Sequence, residues 1–210
     1  MSLLAVIPAF ALTALLLAIV PGQGVAMVLR QSLVGGSRAA IYSVLGNSGG
    51  LIIWGAMSAV GLSAVFASSP TAFAILKWAG VLFLVGLSIQ TLFELRKESG
   101  KFEVSGKAKT SFISAFRLGL ITNLTNVKAA VFAVAFIPQF VPKDFNLGRG
   151  IFILSCVQAA TSMVWYFSLV AVVDKSSPFL SKPKIRRVLT AVSAVGILAL
   201  ATGLALSHPR

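Results

Sequence analysis

Cysteine, histidine and acidic residues are almost missing from this chain. Its 210 residues include one cysteine, one histidine and five aspartates or glutamates. With Cys156 alone, neither an internal disulfide nor a thiolate cluster for a metal can form. His208 lies near the end of the sequence, so no imidazole is available as a base inside an apolar segment. Of the acids, Glu94, Glu98 and Glu103 belong to a polar stretch, and Asp144 and Asp174 flank apolar runs. A carboxylate pair for acid–base chemistry and a carboxylate cage for a metal are therefore not expected, and no Walker-type phosphate loop is present. No catalytic residue, metal or cofactor is expected. Charge itself is sparse, at 11% against about 25% in soluble domains.

Apolar residues fill the space. They make up 57% of the chain, and the mean hydropathy is +0.94. A helix needs about 20 such residues to cross a hydrocarbon core. The runs and their breaks predict an all-α, polytopic membrane protein with six spans, near 3–29, 39–66, 71–93, 111–137, 147–173 and 188–206. Breaks are expected at Ala67-Ser68-Ser69-Pro70, where the second span should stop, and at Pro138, where the fourth should end. A charged loop is expected from Asp174 to Arg187. The N-terminus lacks a basic region and a cleavage site, so it is read as the first span, not a signal peptide.

The net charge of +13 does not point to nucleic acid. A nucleic-acid binder gathers its cations on one wetted face, whereas here they sit in short tracts between apolar runs. Arg30 and Arg38, then Arg96 to Lys109, then Lys175 to Arg187 fall in alternate loops. Cationic loops stay on the cytoplasmic side, which places both termini on the outer side of the membrane. Lys77 and Arg117 lie near span ends and read as interfacial anchors.

The halves 1–93 and 111–206, joined by the basic loop 94–110, look related. Arg38 precedes Asn47 as Arg149 precedes Gln158, at the same spacing. Three spans per half would make the two repeats inverted, an arrangement common in transporters, with the substrate site at the midplane.

Two places depart from plain apolar helix. Pro21-Gly22-Gln23 in the first span should kink or interrupt it, because proline lacks an N–H and crowds the preceding turn. The half-helix after the break would aim free N–H groups at an anion. The other place is Asn123 to Lys128 in the fourth span. Lys128 lies about 15 Å deep at 1.5 Å per residue, where a cation costs about 2.5–3.5 kcal/mol or more. Either a bound anion or nearby polar groups must compensate it; a structural lysine bonded to helix-end carbonyls is the plainer alternative. A break near Asn126 would let Asn126 and Lys128 face one cavity. Asn47 and Gln158 need partners in a dry site, while Gly46 and Gly50 supply a GxxxG contact. Gly46-Asn47-Ser48-Gly49 spells a serine-protease motif, but no base exists to activate the serine. Asn123-Leu124-Thr125 matches a glycosylation sequon only by pattern.

Pro21-Gly22, Gly35-x-x-Arg38-Ala39, Gly46-Asn47, Lys77-x-x-Gly80 to Gly86, Asn126-x-Lys128-Ala129 and Pro138-Gln139-Phe140, in this order, resemble the LysE/RhtB family of bacterial amino-acid exporters. The resemblance implies a secondary transporter that exports an amino acid or close derivative by alternating access. Pro21, Gly22, Gln23, Asn47, Asn123, Asn126, Lys128 and Gln158 would then bind substrate. It also suggests proton-driven coupling, for which no carboxylate carrier is found, and is compatible with a homodimer in the lipid. The family usually has Pro-Gly-Pro where Gln23 stands third, and Asn-Pro-Lys where Val127 stands second. Those two departures leave open whether the first and fourth spans break. An ion or metal exporter would want thiolate, imidazole or carboxylate ligands, which the spans lack. A non-transporting membrane scaffold is the remaining alternative.

Overall fold

A computed structural model describes residues 2–20, 22–68 and 111–180, with separate helical positions between 71 and 89 and at 195, 198 and 202. Pro21, Lys77, the basic loop 94–110 and nearly all of the expected sixth span lie outside the described residues. Among the described residues there is no strand. The order is α1 (Leu3–Ile19), α2 (Gln23–Val34), α3 (Gly36–Ser68), α4 (Phe112–Leu124), α5 (Val127–Val131), a π-helical turn (Phe132–Phe136), α6 (Ile137–Phe140) and α7 (Leu147–Leu180).

Two stretches are long and apolar enough to cross a membrane as single helices, Gly36–Gly61 and Leu147–Val173. Two bent helix pairs are each a further candidate span: α1 with α2 at 61°, and α4 with α5 to α6 at 58°. The protein is thus all-helical, with two to four candidate spans among its described residues. Large apolar side chains such as Leu4, Val60, Leu82, Ile113 and Val164 stand exposed on the outside, the surface expected where lipid, not water, is the solvent.

Three expectations about helix ends are corrected. The second span stays helical through Ala67 and Ser68. The fourth span does not stop at Pro138 but continues to Phe140. The π turn explains this: Ile137 N–H bonds to the Phe132 carbonyl, which shifts the hydrogen-bond register and begins a new helix at Ile137. Pro138 then falls in that helix's first turn, where an N–H has no intrahelical partner to lose. Nor does the expected loop begin at Asp174, since α7 runs on to Leu180. Between α2 and α3 the turn is reduced to Gly35, and Gly36, the first residue of α3, has φ +75°, which a side chain would strain.

Bare backbone sets the packing. A Cβ on Gly46 would overlap the Phe116 carbonyl, and one on Gly119 would overlap the Ser43 carbonyl. Gly50 lies against the Asn123 side chain, so the GxxxG face meets α4 closely. Residue numbers rise together along this seam, from Ser43 with Ala115 to Ser58 with Ala133, so α3 and the fourth span run parallel. Against α7 the order is opposite. Gly55 abuts Ser155, and Asn47 shares a hollow with Gln158; these two helices are antiparallel.

Candidate substrate site

The two breaks meet. The Lys128 side chain leaves the start of α5 and donates from Nζ to the carbonyls of Leu17, at 3.1 Å, and Val20, at 3.4 Å. These carbonyls end α1, where the helix dipole is negative and four carbonyls lack intrahelical donors. Gly22, the residue before α2, lies beside the same ammonium: a Cβ there would stand 3.6 Å from Nζ. The plainer alternative for Lys128 is therefore present in the geometry. Two of its three N–H donors serve helix-end carbonyls.

The second break is made locally. Asn126 has extended backbone angles, φ −84° and ψ 101°, and its Oδ1 accepts the Lys128 backbone N–H at 3.1 Å. This N-cap starts α5 without proline. The end of α4 is held too, since the Asn123 carbonyl accepts from Trp54 Nε1 at 3.3 Å and from the Asn126 N–H. Both residues that replace the family's prolines fall at the first position of a helix, Gln23 in α2 and Val127 in α5. Proline there contributes a preset φ, and its absence leaves the break intact.

Around the junction lies a partly open hollow. Its polar lining is Asn47, Asn123, Asn126, Lys128, Gln158, Ser162 and Tyr166, with Ala14, Leu17, Ala18, Leu51 and Ala129 between them. The free space at its centre is about 20 Å³, enough for a water molecule but not for an amino acid. Asn123 Nδ2 donates to Asn47 Oδ1 at 3.2 Å, the partner that Asn47 needed. The Asn123 and Gln158 amide oxygens are buried with no hydrogen-bond donor. Asn47 and Gln158 stand equally far from the starts of α3 and α7, so corresponding turns of the two long helices face the hollow. Two apolar clusters share residues with its lining: Ala14 and Leu17 belong to one that includes Phe10, Phe132 and Leu154, and Tyr166 to one that includes Met27, Val44 and Leu169.

Five of the eight residues named from the sequence line this hollow, namely Asn47, Asn123, Asn126, Lys128 and Gln158. Gly22 adjoins it through Lys128. Gln23 is exposed at the start of α2 and does not belong to the lining, while Pro21 lies outside the described residues. Ser162 and Tyr166 were missed. They follow Gln158 by one and two helical turns, so their common face was legible once Gln158 was singled out.

The family model for LysE type translocators matches residues 15–208. A homoserine/homoserine lactone efflux protein of Salmonella typhimurium is 32% identical over 204 residues, covering 96% of each chain. An uncharacterized membrane protein of Bacillus subtilis, YrhP, is 26% identical over 92% of this chain and 93% of its own. No solved structure matches.

Proposed function

Because the chain belongs to the LysE type translocator family, and is therefore a multi-pass membrane exporter and not an enzyme, we propose that its cargo is a small amino acid held at the junction of the two broken spans. What supports this reading is the set of free valences around one hollow. The third N–H of Lys128 suits a carboxylate, and the buried oxygens of Asn123 and Gln158 suit the N–H groups of an α-amine. Unpaired polar atoms in a dry site are costly, and a zwitterion would satisfy both signs at once. The printed name of the Salmonella relative makes homoserine the first substrate to test, with the hydroxyls of Ser162 and Tyr166 available to a hydroxylated side chain.

The present hollow is too tight for such a guest, so transport requires the breaks to part. Six spans in two inverted halves, in the bacterial inner membrane with periplasmic termini, fit that requirement. In support, α3 and the fourth span run parallel, an orientation that one further crossing between them would explain. The described positions between 71 and 89 are helical. A bent pair followed by one long helix also occurs twice, with α3 and α7 antiparallel, as inversion demands.

The test is flux from proteoliposomes loaded with neutral, basic or acidic amino acids, with and without a pH gradient. Homoserine or another small neutral amino acid should leave faster than from protein-free vesicles. Movement of no amino acid in the panel would overturn the proposal and favour a scaffold. The bonds from Lys128 to Leu17 and Val20 carry a second reading, in which Lys128 only staples α1. It predicts that Lys128→Met impairs folding and flux in proportion, whereas the substrate reading predicts that the protein which still folds carries no flux.

A further inference from the structure

The pair α3–α7 has a second face. Opposite the hollow, Ala56, Ala59 and Val60 of α3 and Gly148, Phe152 and Ile153 of α7 form an apolar groove of about 390 Å³, with Arg149 at its edge. Helical geometry puts Ala56 and Val60 about half a turn from Asn47, and Arg149 about half a turn from Gln158, so the groove faces away from the transport site. Val60, Phe152 and Ile153 are exposed there. Arg149 is exposed as well, two residues inside the point where α7 enters its apolar stretch, the level of phospholipid headgroups. Among the described residues its guanidinium takes part in no ion pair, and its backbone N–H is used by the Asn146 side chain.

We propose that this groove is a binding site for one anionic phospholipid, its phosphate on Arg149 and the upper part of an acyl chain between Val60 and Phe152. Charge complementarity favours this occupant. Guanidinium is the side chain best matched to phosphate oxygens, and the slot beside it is uncharged and alkyl-lined. A second copy of the chain is disfavoured on the same ground. A two-fold contact centred here would set Arg149 against its own counterpart, two like charges at the edge of a low-dielectric phase.

The experiment uses the full chain purified in mild detergent, with thermal unfolding and native mass spectrometry as readouts. Phosphatidylglycerol should raise the unfolding midpoint more than phosphatidylcholine and leave one lipid bound. Arg149→Gln should abolish the difference between the two lipids, while Arg117→Gln, an exposed cation on α4, should retain it. Val60→Trp should displace the lipid by filling the groove and leave Arg149 in place. The proposal is overturned if Arg149→Gln keeps the full response to phosphatidylglycerol, if glycerol phosphate without acyl chains stabilises as well as the lipid, or if the groove proves to be buried in a dimer.

Discussion

The two broken spans bend by nearly the same angle, 61° and 58°, yet they are held by different means. The second break supplies its own restraint. Asn126 caps the new helix with its side chain, and Thr125 bonds back to the Ile121 carbonyl. At the first break neither flanking residue caps through its side chain. Its carbonyls are answered from a distance of more than a hundred residues, by Lys128. One break is therefore a local property of its sequence and the other a tertiary one. The residue that completes the first break is also the cation of the candidate site, which couples the bend to whatever competes for that ammonium. A carboxylate drawing Lys128 away would loosen α1 from α5.

The comparison can be broken most severely at Lys128. Lys128→Met should reduce homoserine efflux from loaded vesicles to the protein-free background. It should also withdraw a donor from two buried carbonyls, at about 1–3 kcal/mol for each group left unsatisfied. Lys128→Arg should restore more of the thermal stability than of the flux. Equal recovery of both would mean that the side chain only staples. Next in size is Gly46→Leu, which drives a side chain into the Phe116 carbonyl. A loss of about 1–3 kcal/mol should appear as less monodisperse protein by size-exclusion chromatography, and an unchanged yield would contradict the close α3–α4 contact.

Asn126→Ala tests the self-contained break. Loss of the cap should cost about 1 kcal/mol and lower the unfolding midpoint, leaving the first break in place. If the midpoint holds, Asn126 does not cap. The smallest effects sharpen the point about proline. Val127→Pro and Gln23→Pro should be tolerated or stabilise by roughly 0.4–1 kcal/mol, because both sites open a helix after an extended residue. Destabilisation by either would show that its backbone N–H is engaged.

Much of the site could be read in advance because polar residues inside apolar runs are conspicuous. Asn47, Asn123, Asn126, Lys128 and Gln158 stood out for that reason and converge. Gln23 stood out equally and does not join them, since it follows a break whose exit direction depends on how α2 packs. Tyr166 was overlooked because an aromatic residue in an apolar run looks like core; its hydroxyl is notable only beside Gly24, where any side chain would overlap it. The helix ends at Pro138 and Asp174 were misjudged for a related reason. Proline and aspartate read as stops, but a π turn gave the one a permitted position, and α7 simply continues past the other to Leu180.

By itself the sequence determined that this chain lives in a bilayer as helices. In oil the backbone must satisfy its own hydrogen bonds, so long apolar runs with almost no charge leave few other forms. It also determined where α5 begins, because Asn126 caps its neighbour two residues away. Only the tertiary structure decided that Lys128 would end on the carbonyls of Leu17 and Val20, that Gly46 and Gly119 would let two backbones touch, and that the α3–α7 pair would turn one face to a polar hollow and the other to lipid. Those outcomes depend on surfaces far apart in sequence fitting together, and in a membrane close packing and scarce polar partners, not the flight of apolar groups from water, choose among the possible fits.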